Sequence, residues 1–493
     1  MVVGAHLCAT GAGFLPGEPV TVAFDGVAIA QPTASRTGGF TSCVATPSTL
    51  LQGRNTVSAL GARSQTPALA AVTGVLAHGS AFYLAGASTA GGDATDLAIV
   101  NPQRTAASVA IVFYLPSRPS FTRSLVVPAR TRATVHLNRY VGAVHGFGLL
   151  VRARQDVAAQ MIVYRSSRNP YTTLGNGQLS TRWYLAEGYT NLTFHQTLYL
   201  LNPGQRPARV RVHLLPANSR RAHIVTVVVP GQRTVGLDVN RLYPGQSLAT
   251  IATSDNPICA ERVLTFGHGG FGATGNGGTA MAASTWLFAE GATLGGRQTF
   301  LTILNPNRRR ATVSALLHDE RGAIVGVRTI VVDGGHRGTM RLNDTVHAAA
   351  LASTVSSDAP VVVERPYYTN NPNEGRPAAT LVYGRGGLGT RWTFPAGDTR
   401  RGAHDVLLVF NSNHVSLRLR AAYYLSTGHV VTTSFTVPAN ARYTIRVNSV
   451  APALANALYG VQLASLDGRG FVAEQTVYDA RYATMYGTPG LAQ

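Results

Sequence analysis

The sequence predicts an all-β fold: a tandem array of immunoglobulin-like and β-sandwich domains with short helical insertions. Polar–apolar alternation marks strands with one buried face. In "ARVRVHLL" at 208–215, Val210, Val212 and Leu214 alternate with Arg209, Arg211 and His213, and "LRLRAAYYL" at 417–425 repeats the pattern. Gly, Pro, Asn and Asp interrupt such runs at roughly 8–12-residue spacing, which signals sandwiches rather than βαβ units. Composition agrees: charged residues make up only 13% of the chain, against roughly 25% in an ordinary soluble domain. Gly, Ala, Thr, Val and Ser fill the difference, and the Glu, Lys and Gln of exposed helix faces are scarce.

Residues 1–77 form a first, separate unit, with alternation in "VTVAF" and turns in "GAGFLPGEP" and "TGGFTS". Cys8 and Cys43 fall on two of its strands, so a disulfide between them is expected. Closing that loop is worth about 3–4 kcal/mol and places the protein outside the cytosol. Cys259, in the apolar run "PICAERV", reads as a buried small hydrophobe.

Four copies of one longer unit follow. An opening aromatic phrase recurs at Phe82–Ala87, Trp183–Gly188, Trp286–Gly291 and Trp392–Gly397. An apolar stretch then ends at Asn101, Asn202, Asn305 or Asn411, and a turn at Pro128, Pro230, Asp333 or Pro438 precedes Asn138, Asn240, Asn343 or Asn448. Last comes an Asp-led turn at Asp156, Asp255, Asp358 or Asp467. Every landmark keeps a step between 99 (Asp156 to Asp255) and 109 residues (Asp358 to Asp467). The repeats are therefore set at 78–180, 181–284, 285–390 and 391–493. The only helix-like stretches, "VHAAALAS" and "VAPALANAL", follow the second fixed Asn, which is expected to cap a helical turn.

The formal charge is +20, and all 42 basic residues are Arg. That reflects a GC-rich genome, durable surface ion pairs, or an anionic partner that Arg forks onto. The charge is scattered, which reads as a solvated surface. No run reaches membrane-spanning length. The start, "MVVGAHLCATGAG", has neither a basic n-region nor a sustained apolar core, so no signal peptide is expected within this chain.

The phrase "GAGFLPGEPVTV" at Gly11–Val22 resembles the opening of small immunoglobulin-like modules of secreted bacterial proteins, which implies that 1–77 is such a module. The longer copies resemble a tandem repeat family of secreted and cell-surface bacterial proteins, classed as a domain of unknown function. The matching motifs in the second copy are "WYLAEG", "TLYLLNPG", "VVVPGQRTVGLDVN" and "SDNPICAERV". The resemblance spans four repeats and implies an extracellular β-sandwich array with no known reaction. The first and fourth copies depart from it, with "FYLAGAS" and "FPAGD" in place of Ala-Glu-Gly.

Where the opening phrase carries Glu187 or Glu290, the last strand carries Arg262 or Arg365; the first and fourth copies lack both. Ion pairs Glu187–Arg262 and Glu290–Arg365 are therefore expected, tying first strand to last. The rival is an acid–base pair, Glu187 with Glu261, as in glycoside hydrolysis. "GHGGFG" at 267–272 spells a dinucleotide fingerprint, but no amphipathic helix follows it, so it reads as a hairpin loop. The histidines and cysteines show no metal-site spacing. Trp183, Trp286 and Trp392 recur at one position and are assigned to repeat packing. Tyr367, Tyr368, Asn370 and Asn371 in "RPYYTNNPNEG" are the candidates for an exposed binding loop.

These features point to a non-catalytic extracellular or cell-surface structural protein, without cofactor, metal or nucleic acid. It is expected to be a rod, stiffened by near-absent linkers, that assembles head to tail into a surface filament. The alternative is an adhesin or carbohydrate-binding array gripping an acidic polysaccharide or cell-wall glycan. A glycosidase-like enzyme is the third reading.

Overall fold

Alternating segments become strands throughout, and the protein is all-β. The computed structural model describes residues 6–24, 27–45, 53–65, 67–74, 80–166, 168–191, 193–217, 221–372 and 375–492. Residues 1–5, where a leader was sought, lie outside the described residues, as do Asn373 and Glu374 of the expected binding loop. The chain divides into two units, Met1–Ala81 with Ala153–Asp156, and Phe82–Arg152 with Val157–Gln493.

In the first unit, strands His6–Gly11 and Phe40–Ala45 pair antiparallel and put Cys8 directly opposite Cys43, and the two are disulfide-bonded. A four-stranded sheet orders Val27–Ala30, Val20–Phe24, Gly53–Gly61 and Pro67–Gly74. Phe14, Val20, Val22, Phe40, Val57 and Ala59 form the core. The "PGE" phrase has a physical role. The buried Glu18 carboxylate accepts the N–H groups of Leu15, Arg63 and Ser64 and the Ser64 hydroxyl. Burial alone would raise its pKa; these bonds bring it down to about 2.

In the second unit each repeat is built from antiparallel strands in two layers. Repeat 1 has one sheet ordered Phe121–Val127, Ala107–Tyr114, His145–Ala153, Ser80–Ser88, and another ordered Thr131–His136, Ala94–Asn101, Ala158–Tyr164, Tyr171–Leu174. In repeats 2 and 3 a single long strand, Leu248–Phe266 or Ala352–Tyr368, serves both layers.

The first Asn landmark is a buried corner post. Asn202 accepts the Gly204 N–H and donates to the carbonyls of Arg206 and Val229. Asn101, Asn305 and Asn411 make the equivalent bonds. The second Asn does not cap a helix as expected. Asn138, Asn240, Asn343 and Asn448 instead accept the backbone N–H of Thr95, Gln196, Thr299 and Asp405 on a neighbouring strand. "VHAAALAS" is not helical either; a brief turn at Leu342–Asp344 precedes it. The Asp turns are caps: Asp255, Asp358 and Asp467 accept the N–H of Arg209, Thr312 and Arg418.

The expected rod is not what these four repeats build. Their innermost strands, Tyr171–Leu174, Gly272–Gly277, Ala379–Tyr383 and Met485–Thr488, pack each against the next and the last against the first. The repeats thus close into a ring in the order 1–2–3–4–1. Asn169 of repeat 1 shows the closure in one side chain: it donates to the Ala273 carbonyl of repeat 2 and accepts the Met485 N–H of repeat 4. Ala98 and Ile162 of repeat 1 share a cluster with Ala396, Val477 and Tyr486 of repeat 4. Repeats 4 and 1 thus meet within one chain. Glycine permits the close approach, since a Cβ on Gly460 would fall 2.5 Å from Val100 Cγ2. Gly460→Val is therefore expected to part repeats 4 and 1 while sparing the other junctions. Small-angle scattering would show a larger radius of gyration; an unchanged one would argue against closure at this contact.

Candidate functional site

The chemistry-bearing residues of the repeats converge on the junctions of the ring. Register places Gln160, Glu261, Glu364 and Glu474 at one position, opposite Ala98, Tyr199, Thr302 and Leu408. All four are buried. Each Glu reaches into the preceding repeat. Glu261 accepts the Ala85 N–H (2.8 Å) and the Thr173 hydroxyl (2.6 Å). Glu364 accepts the Glu187 N–H (2.6 Å), Asn276 (3.1 Å) and Arg262 (3.1 Å). Glu474 accepts the Ala289 N–H (2.7 Å) and Arg365. Burial pushes the pKa of all three carboxyls up, against the bonds that favour the charged form.

A second set of contacts runs the same way, from each repeat to the one before it. Arg337 of repeat 3 donates to the Ala186 carbonyl and pairs with Glu187 at 2.6 Å. Arg442 donates to the Ala289 carbonyl, and Arg132 to that of Pro395. Repeat 2 has Thr234 there, bonded to the Tyr114 carbonyl of repeat 1.

This geometry redraws the expected ion pairs. Arg262 does not pair with the Glu187 carboxylate; it donates to the Glu187 carbonyl and forms its salt bridge with Glu364 of the next repeat. The long strand carrying Arg262 lies beside the junction, so the nearest carboxylate belongs to the neighbour. Arg365 and Glu290 lie 2.9 Å apart, and Arg365 also binds Glu474 of repeat 4. Glu187 and Glu261 face different junctions and form no acid–base pair.

Trp183, Trp286 and Trp392 are buried, each indole N–H donating to a carbonyl, of Ile258, Val361 and Phe471. Tyr367 and Tyr368 are not on an exposed loop. They end the long strand and are buried at opposite junctions: Tyr368 packs with Phe194 and Phe266 of repeat 2, and Tyr367 with Tyr478 and Met485 of repeat 4. Asn370 is exposed and Asn371 half-buried beyond them. The "GHGGFG" segment is a hairpin turn whose Gly270 and Gly272 carbonyls accept from Arg165 of repeat 1. Alone, the sequence missed Glu474, Arg337 and Arg442, because their partners lie in another repeat.

A family model of unknown function, DUF5719, matches residues 66–336, more than half of the 493 residues. The chain belongs to the DUF5719 family. No curated protein matches this DUF5719 chain. Among solved structures it is similar to Thermotoga maritima 1070, at 17% identity and TM-score 0.20 over 20% of this chain and 93% of that one. The Anabaena sensory rhodopsin transducer matches at 26% identity and TM-score 0.15, over 17% of this chain and 94% of that one. A tetra-tandem repeat from the extending region of a large adhesion protein matches at 11% identity and TM-score 0.15, over 99% of the DUF5719 chain and 94% of its own.

Proposed function

We propose that the chain is a non-catalytic protein of the cell surface, whose four repeats form a rigid adhesive platform. One observation carries its non-catalytic part. The carboxylates that could do acid–base work, Glu187, Glu261, Glu290, Glu364 and Glu474, are buried and bonded across or beside the junctions. A group enclosed and hydrogen-bonded in this way fixes geometry rather than meeting a substrate. The Cys8–Cys43 disulfide supports an oxidising location outside the cytosol. Antibody labelling of intact source cells is expected to find the protein on the surface, and exclusively cytosolic protein would refute the location. Assay against a panel of chromogenic glycosides is expected to show no turnover. Turnover that Glu261→Gln or Glu290→Gln removes would replace this reading with an enzymatic one.

A further inference from the structure

The outer sheet faces of repeats 2 and 4 carry the same unpaired feature. On repeat 2, Arg182 and Arg211 both stand opposite Thr253, one strand to either side. On repeat 4, Arg391 and Arg420 both stand opposite Ala464 in the same way. Residues directly opposite share a sheet face, so each pair sits two strands apart, about 10 Å at the usual strand spacing. At this register repeat 3 has Thr285 and Ser314, flanking Ser356. All four arginines are exposed, and among the described residues none forms a salt bridge. Nearby carboxylates are already engaged: Asp255 caps the Arg209 N–H, and Asp467 pairs with Arg418. Burial first, and then the Arg211 and Arg182 charges, hold the His213 pKa below its ordinary value, as expected beside an uncompensated positive field.

We propose that these two guanidinium pairs are the binding sites for an acidic polysaccharide, one carboxylate-bearing chain lying across each face. This rests on the surface reading above and adds the ligand class and the residues. An Arg takes a carboxylate in a two-bond fork, and the pair spacing matches carboxylates on every second sugar of an extended chain. Between and beside the arginines lie Thr226 and Thr253 on repeat 2 and Ser434 on repeat 4, hydroxyls suited to sugar OH groups. The aromatics on these faces, Tyr184 and Tyr424, are buried against neighbouring repeats, so the stacking platform that single-stranded nucleic acid needs is missing. Repeats 2 and 4 are not adjacent in the ring, so one long polymer or two short ones can engage both faces, and a long one gains avidity.

The test uses the full chain and hyaluronan as probe. Wild type is expected to bind, with affinity falling as salt rises. Arg182→Ala with Arg211→Ala, or Arg391→Ala with Arg420→Ala, should each weaken binding about tenfold or more, and all four together should abolish it. Arg104→Ala with Arg139→Ala, exposed on repeat 1, should leave binding unchanged. Undiminished binding by the fourfold variant would overturn the proposal, as would no binding by wild type, or tighter binding of single-stranded DNA at the same salt. Surface labelling is read separately, so the site can fail while the surface reading stands.

Discussion

Replacing Arg365 with Met is expected to destabilise the four-repeat unit by about 3–5 kcal/mol at neutral pH. The guanidinium is buried and holds two carboxylates, Glu290 at 2.9 Å in its own repeat and Glu474 in the next. Removing it leaves both charges enclosed without a cation. The loss should depend on pH. Burial already pushes the Glu474 pKa above its ordinary value, and without Arg365 that rise grows. A carboxyl whose folded pKa lies above its unfolded value contributes stability below the unfolded pKa and loses it as pH rises through the folded one. Scanning calorimetry should therefore find the variant much closer to wild type at pH 5 than at pH 8. An equal deficit at both would show that lost packing, not stranded charge, is the cause. Adding Glu290→Gln and Glu474→Gln should recover much of the stability, because a neutral network carries no desolvated charge.

The opposite change is expected at Asp405, where Asp405→Asn should stabilise the protein. Asp405 is buried in repeat 4 and bonded by the Tyr459 hydroxyl, by Gln475 at 2.9 Å and by the Asp398 N–H at 3.2 Å. Among the described residues no cation pairs with it. Burial pushes its pKa from 3.8 up to about 7, with the three hydrogen bonds opposing the rise. The folded state then holds a proton that the unfolded state releases, so wild-type stability falls as pH rises from about 4 to 7 and levels off above. A rise of that size corresponds to at most about 4 kcal/mol. Melting curves should show Asp405→Asn above wild type at pH 8 and near it at pH 4. The same gain at both values would exclude the charge as its source. The equivalent residues Thr95, Gln196 and Thr299 are neutral and also receive the second Asn landmark through their backbone N–H, so the substitution suits the fold.

Sequence alone determined what depends on local pattern. Alternation in "ARVRVHLL" sets which face of that strand is buried, and four landmarks at a near-constant step reveal four copies. Asn202 and its counterparts could be singled out because their partners are close along the chain, two, four and 27 residues away. Tertiary structure decided everything that crosses a junction. Arg262 lies 75 residues from the carbonyl of Glu187, its expected partner, and 102 from Glu364, which binds it. Spacing carries no information about which surface of one repeat meets the next. Tyr367 and Tyr368, polar-tipped and beside an Asn-rich turn, read as exposed for the same reason; rings on either side enclose them. Closure itself, in place of a rod, rests on glycines such as Gly460 at close contacts and on Asn169 reaching two repeats at once. A repeat pattern reports that each unit has a sticky side. Only the packed chain shows that the last one meets the first.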